Sequence, residues 1–174
     1  MEVAQAKGSG RLLHLSLQRS QLLVGERLDA LQMQTLSAHH RAILLYPSTQ
    51  DDASLLPATA VPDEWLHDAA SLWLVVLDAT WRKSRKMLHC NPWLQQLPRM
   101  ALPNPPASRY LIRKAHGSHQ LSTLEATCAA LSQLEGQARL CAPLLSAFDG
   151  FVQQQLAYRP QSAMGLTLTK AASK

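Results

Sequence analysis

Apolar and polar positions along the chain form blocks that predict strands, each followed by a helix. Short apolar runs, AILLYPS at residues 42–48 and LWLVVLD at residues 72–78, have the length of buried strands. RMALPNPP at residues 99–106 predicts a short strand entering a stiff loop, and RYLIRK at residues 109–114 is a further strand candidate. Because the run at residues 72–78 is apolar throughout, we expect both of its faces to be covered, as in a parallel sheet between helices.

Helical periodicity fills the segments between and after these runs. The predicted helices are residues 27–37, 64–71, 79–90, 122–136 with a glycine stop, and 143–158. Residues 11–24 fit either a strand or a helix, and residues 49–62 predict a loop. This alternation predicts one α/β domain over residues 11–158, with flexible tails at residues 1–10 and 159–174.

Composition agrees with one globular domain: 174 residues, 47% of them apolar and 17% charged. No apolar run approaches the roughly 20 residues that a membrane span needs, and we expect a soluble, cytoplasmic protein. Cys90, Cys128 and Cys141 fit neither a disulfide framework nor a zinc site, which leaves reduced thiols as the prediction. A net charge of +5 favours an anionic partner, nucleic acid first.

Asp78 ends the second apolar run and directly precedes a basic helix. Ligands of open α/β sheets bind beyond the carboxyl ends of the strands, so a carboxylate there faces the ligand crevice. Asp78 can equally cap the next helix by accepting from the backbone N–H of Thr80 or Trp81. Position in the sequence does not decide between these interpretations.

Five basic side chains follow within the predicted helix at residues 79–90. They are Arg82, Lys83, Arg85, Lys86 and His89, and all but Lys83 recur at helical spacing on one face. Cations near the start of a helix oppose its dipole, so helix stability does not explain the cluster. Phosphate contacts would explain it, and a solvated basic face is the alternative.

Two stretches farther along carry additional candidate chemistry. In STLEA at residues 122–126, Ser122 and Glu125 have the spacing of a capping box, which also leaves a helix N-terminus directed outward as a site for a carboxylate or phosphate. LPNPP at residues 102–106 is either a rigid connector or a backbone that contacts a base such as adenine. A second basic zone before STLEA contains Arg109, Arg113, Lys114, His116 and His119.

The order and separation of DATW (residues 78–81), the basic helix, LPNPP and STLEA resemble those of the DTW-domain proteins over roughly residues 42–134. These proteins are similar to tRNA-uridine aminocarboxypropyltransferases. The resemblance implies a SPOUT-like α/β domain with a mainly parallel sheet, helices on both faces and a trefoil knot. It also implies an enzyme that transfers the 3-amino-3-carboxypropyl group of S-adenosylmethionine to N3 of a tRNA uridine, in the variable loop, and releases methylthioadenosine.

The resemblance carries roles onto matching positions of this sequence. It implies that Asp78 and Trp81 are catalytic. The cofactor-binding positions that it implies are Tyr46, Pro47, Ser48, Thr80, Leu102, Pro103, Ser122, Thr123 and Glu125. The cations expected to contact tRNA are Arg82, Lys83, Arg85, Lys86, Arg109, Arg113 and Lys114. We expect no metal and a monomer. Many bacterial members begin with a cysteine cluster and an H-P-x-E-like stretch, whereas LQRSQLLVGERLD stands there in this chain.

The implied chemistry suits these side chains. A carboxylate such as Asp78 can accept the imide proton of uridine, or can orient the base or the amino group of the cofactor. Trp81 can stack on uracil or contact the cationic sulfonium. Two alternatives stay open: modification of another RNA with the same cofactor, by aminocarboxypropyl or methyl transfer, and a non-catalytic basic RNA-binding module.

Overall fold

The computed structural model describes residues 9–29, 31, 33, 40–48, 52–110 and 121–157. Its strands are β1 (Arg41–Leu45), β2 (Leu72–Val76) and β3 (Arg99–Met100). Its helices are α1 (Ser9–Ser16), α2 (Asp63–Leu66), α3 (Trp81–Cys90), α4 (Pro92–Gln96), α5 (Thr123–Leu134) and α6 (Ala142–Ala157), with a 3₁₀ turn at Ala69–Ser71. The chain is therefore a mixed α/β protein, as the alternation of blocks predicts.

The three strands form a parallel sheet in the order β2-β1-β3. The chain leaves β1 for β2 on one side and then returns past β1 to β3 on the other. Right-handed crossovers that run in opposite directions place their connections on opposite faces of a sheet. This topology therefore needs a central strand that is apolar on both sides.

Alternate residues of β1 point to opposite faces and meet different helices. Leu44 is fully buried and packs in a cluster with Leu88 of α3 and Leu94 of α4. Ile43 is also fully buried and packs on the other face with Ala130 of α5. The expected parallel sheet with helices on both faces is thus confirmed.

Burial within the sheet differs from the expectation in one respect. β1 has three consecutive buried residues, whereas every residue of β2 is only partly buried. The reason is position, because β1 is the central strand and β2 lies at the edge of the described sheet. An unbroken apolar run in the sequence therefore does not distinguish a central strand from an edge strand.

The structure tests the predictions for two further segments, at least in part. The ambiguous segment at residues 11–24 begins as helix α1, and Ser9 and Gly10, which we assigned to the N-terminal tail, are its first two residues and are buried. The strand predicted at residues 109–114 is not formed at Arg109 and Tyr110, and its other residues lie outside the described ones. Most residues of the helix predicted at 27–37 also lie outside the described ones.

A second apolar core holds α1, α5 and α6 together. It contains Leu13 of α1, Leu124 of α5 and Phe148 of α6, with partly buried side chains around them. Helix α5 thus contacts the sheet through Ala130 and this second core through Leu124. Its end is the predicted glycine stop, since Gly136 has φ +62°, in the left-handed region. These contacts fix the N-terminus of α5 relative to the strand ends.

The SPOUT-like assignment and the trefoil knot stay predictions. Residues 111–120, which connect β3 to α5, lie outside the described residues. Each helix in the described part of the chain is too short or too polar to span a bilayer.

Candidate functional site

The loops that follow the three strands emerge together at one edge of the sheet. Leu45 is paired with Val76 of β2 and with Met100 of β3, so all three strands end at the same level. Tyr46, Asp78 and Leu102 follow one or two residues beyond these ends. The parallel register therefore brings YPS (residues 46–48), DATW and LPNPP to one edge of the sheet, where ligands of such sheets bind.

Asp78 does not cap the helix that follows it. Thr80 is the N-cap of α3, and its hydroxyl accepts from the backbone N–H of Lys83 at 3.4 Å. The Oδ1 atom of Asp78 instead accepts a 2.6 Å hydrogen bond from the hydroxyl of Thr123, the first residue of α5. The capping interpretation of Asp78 was wrong, and its side chain links the DATW and STLEA motifs while remaining exposed to solvent.

Gly10 lies directly against the other side of this carboxylate. A Cβ atom built on Gly10 would fall 2.5 Å from Cγ of Asp78 and 2.9 Å from its Cβ, closer than real side chains approach. Only glycine leaves room for the backbone of α1 to come this near. The contact could not be predicted from the sequence, because nothing in the segment SGRLL marks residue 10 as a neighbour of residue 78.

Trp81 stands beside the strand ends with 49% of its surface exposed. Its ring meets the buried Tyr46 edge-on, with 5.8 Å between centroids. The hydroxyl of Ser84 donates to the carbonyl of Trp81 at 3.0 Å, so Tyr46 must be the donor in its 3.2 Å contact with Ser84. Tyr46 therefore supports the indole from below, and an exposed aromatic face stays available for a flat ligand.

The capping box of STLEA is present. Ser122 accepts from the backbone N–H of Glu125 at 3.3 Å, and Glu125 accepts from that of Ser122 at 2.8 Å. Glu125 is buried and also accepts from the hydroxyl of Ser108 at 3.0 Å and from the backbone N–H of Arg109 at 2.5 Å. Glu125 thereby holds the segment after LPNPP against the N-terminus of α5, so any contribution to cofactor binding acts through that segment.

The remaining positions expected to bind cofactor differ in exposure. Pro47 and Ser48 are exposed immediately after Tyr46, and Pro103 is exposed in the LPNPP loop. Leu102 is partly buried and packs against the cluster formed by Ile43, Met100 and Ala130. The loop thus has one anchored residue and one accessible residue next to each other.

A family model described as the DTW domain matches residues 1–156. The chain belongs to the DTW domain family. This family is associated with tRNA modification, and membership points to a transferase with an RNA substrate. No curated protein and no solved structure is significantly similar to the chain.

The basic helix of this DTW domain lines an open concavity of about 490 Å³ next to the strand ends. Its lining residues are Trp81, Arg82, Arg85, Lys86 and His89. The predicted shared face of these cations is confirmed, and Trp81, which contacts Tyr46 directly after β1, joins it to the strand ends. Lys83 is exposed beside this face.

Carboxylates from other segments neutralise part of this face. Arg85 pairs with Asp52 at 2.7 Å, and Lys86 pairs with Glu26. The hydrogen bond between Lys86 and Glu26 raises the pKa of the lysine and lowers that of the glutamate. The pKa of Asp52 is lowered chiefly by its hydrogen bond from Ser54. No local pattern in the sequence indicates these partners, since Asp52 lies 33 positions before Arg85 (85 − 52) and Glu26 lies 60 positions before Lys86 (86 − 26).

In the second basic zone the structure describes only Arg109, which pairs with Asp149 of α6 at 2.8 Å. Arg113, Lys114, His116 and His119 lie outside the described residues. Arg109 is exposed, so its guanidinium can still contact a ligand.

The cysteines are free thiols. Cys128 and Cys141 are buried in the same core cluster, and burial together with a hydrogen bond to Cys141 raises the pKa of Cys128 from its ordinary value near 9.0 to about 12. Among the described residues, no group of three His, Cys, Asp or Glu side chains is arranged to hold a metal ion.

Proposed function

We propose that the protein transfers the 3-amino-3-carboxypropyl group of S-adenosylmethionine to N3 of a tRNA uridine and releases methylthioadenosine. The observation that supports this most is the hydrogen bond between Asp78 and Thr123. It joins the DATW and STLEA motifs at the strand ends, near an exposed indole and a basic face. A negative charge at this place opposes the binding of phosphates, so a non-catalytic RNA-binding module gains no affinity from Asp78.

The side chains suit S-adenosylmethionine, a sulfonium cation. Asp78 is exposed and uses Oδ1 for Thr123, so its carboxylate keeps acceptor capacity for the N–H of an incoming uridine. The half-exposed face of Trp81 attracts cations and stacks on flat bases. The residues that would hold the cofactor are Pro47 and Ser48 after β1, Pro103 after β3 and Thr123 at the start of α5.

When bound, S-adenosylmethionine supplies an electrophilic γ-carbon and a thioether leaving group. In the transfer, the N3–C bond forms as the C–S bond breaks, and the N3 proton must leave. Asp78 accepts that proton, or it aligns N3 with the γ-carbon by accepting a hydrogen bond from N3–H while water takes the proton. Thr123 and Gly10 fix the carboxylate, and Trp81 fixes the plane of the base. Such positioning decides which of the three carbons on sulfur is attacked.

Incubation with tRNA and S-adenosylmethionine tests the proposal, with nucleosides and cofactor products measured by mass spectrometry. We expect methylthioadenosine and a uridine enlarged by one aminocarboxypropyl group. S-adenosylhomocysteine would identify a methyltransferase instead, and tRNA binding without either product would identify a binding module.

Replacement of the carboxylate tests its assigned role. Asp78→Ala should abolish transfer while S-adenosylmethionine still binds in calorimetry. Asp63→Ala, at an exposed carboxylate in the first turn of α2, removes the same charge and should leave transfer unchanged. Full transfer by Asp78→Ala would refute the role of Asp78.

A further inference from the structure

Two cations of the basic helix already have anionic partners in the protein. Arg85 and Lys86 keep 53% and 60% of their side-chain surface exposed, yet each contacts a carboxylate, Asp52 and Glu26 respectively. Exposed ion pairs contribute little to stability, so fold stability does not account for two such pairs on one face. The two ion pairs lie beside Trp81 at the proposed RNA face, and this location suggests a role in RNA binding.

The backbone of Glu26 is held in place independently of its ion pair. Asn91 is 2% exposed and donates to the carbonyls of Glu26 and Met87, both at 2.7 Å. Its Oδ1 accepts from the backbone N–H of Leu28 at 2.8 Å. These bonds attach the segment that carries Glu26 to the end of α3, so the carboxylate stays near Lys86 even when the ion pair is broken.

Asp52 is also held in place independently of its ion pair. Its Oδ1 accepts from the backbone N–H and the hydroxyl of Ser54, at 3.2 and 2.5 Å. Its carbonyl accepts from Leu55, which is buried in the sheet core. Its other carboxylate oxygen, Oδ2, contacts Arg85. Both negative charges are therefore anchored features of this face.

We propose that Glu26 and Asp52 are built-in counter-ions of the RNA-binding face, which RNA phosphates replace at Lys86 and Arg85 on binding. The inference rests on the proposed function, since it needs RNA as the partner. Arginine and lysine exchange a surface carboxylate for a phosphate at little cost. Each carboxylate therefore competes with RNA for its cation, because the ion pair must open before a phosphate can take its place. They consequently weaken RNA binding, which limits capture of polyanions that contact this face alone and favours release of the product.

Glu26→Gln and Asp52→Asn test the proposal, because each removes the charge and keeps a hydrogen-bonding oxygen. Affinity for a labelled tRNA transcript is measured by fluorescence anisotropy at several salt concentrations. Each variant should bind up to about fivefold more tightly than wild type, the scale of one exposed ion pair, and the gain should shrink at high salt. Glu135→Gln, at the opposite end of α5 from Thr123, is the control for net charge and should have a much smaller effect.

A double-mutant cycle separates local exchange from a general effect of charge. In a Lys86→Ala background, Glu26→Gln should no longer tighten binding, because the cation that it frees is absent. Equal gains from Glu26→Gln and Glu135→Gln, or a gain that persists without Lys86, would overturn the inference. The proposed reaction is judged separately by methylthioadenosine release. Transfer without the predicted coupling refutes the counter-ions alone, and coupling without transfer refutes the reaction alone.

Discussion

Gly10→Ala is the most direct test of the site geometry, because it adds one methyl group against the carboxylate of Asp78. The added Cβ would lie 2.5 Å from Cγ of Asp78, whereas ordinary contact begins at 3.4 Å. The carboxylate must therefore retreat by about 1 Å (3.4 − 2.5), and a displacement of that size in a catalytic group can reduce the rate by about 10²-fold. The 2.6 Å bond from Thr123 would be disturbed by the same movement.

Folding should not be the step that fails in this variant. Gly10 is the second residue of helix α1 and has no positive φ, so alanine can adopt its backbone conformation without strain. Gly150→Ala provides a matched control, since Gly150 is also helical and its added Cβ would meet nothing within 4 Å. The control should gain about 0.5–1 kcal/mol of stability, with a midpoint of thermal unfolding raised by about 1–4 °C, and should keep full activity.

The assay is methylthioadenosine release with tRNA in excess, together with thermal unfolding followed by circular dichroism. We expect Gly10→Ala to stay folded and to lose about 10²-fold in kcat, while Gly150→Ala matches wild type. A folded Gly10→Ala protein with the wild-type rate would refute the argument that Gly10 positions Asp78.

Three further predictions concern α5. Thr123→Val removes the donor to Asp78 and should lower transfer by about 10-fold or more, the scale of a hydrogen bond to a charged group; Thr123→Ser should restore most of the rate, and equal rates for the two variants would exclude the hydrogen bond. Ser122→Ala removes the N-cap and should lower the free energy of unfolding in urea by about 1 kcal/mol; an unchanged value would show that the cap is dispensable. Because the raised pKa of Cys128 favours the neutral thiol in the folded state, its contribution to stability is complete below about pH 9 and is lost toward about pH 12. Cys128→Ala should show a smaller loss of stability between neutral pH and pH 10, and a pH dependence identical to that of wild type would contradict the assignment.

The fold was predictable from the sequence where local pattern determines the outcome. Apolar runs located β1 and β2, and the STLEA spacing gave the capping box with its glycine stop at Gly136. Burial was less predictable, because a central strand and an edge strand can have the same apolar pattern. Only the order β2-β1-β3 distinguishes them.

The site was predictable as a set of motifs and unpredictable as a set of contacts. The parallel register brings Tyr46, Asp78 and Leu102 together, as expected for residues that follow parallel strands. The proximity of Gly10 to Asp78, and of Glu26 to Lys86, depends on how distant segments dock, and no local pattern records it. The partner of Asp78 was missed for the same reason: Thr123 lies 45 positions away in the chain.

The environment of Asp78 has a consequence for the folding process. Its neighbours come from positions 10 and 123, which are 68 (78 − 10) and 45 residues distant, and closing such long loops is slow compared with forming a helix. A nascent or partly assembled chain therefore lacks a working centre until its first helix has docked. Acquisition of transferase activity during refolding should then coincide with the last cooperative step, which makes catalysis a sensitive reporter of complete maturation.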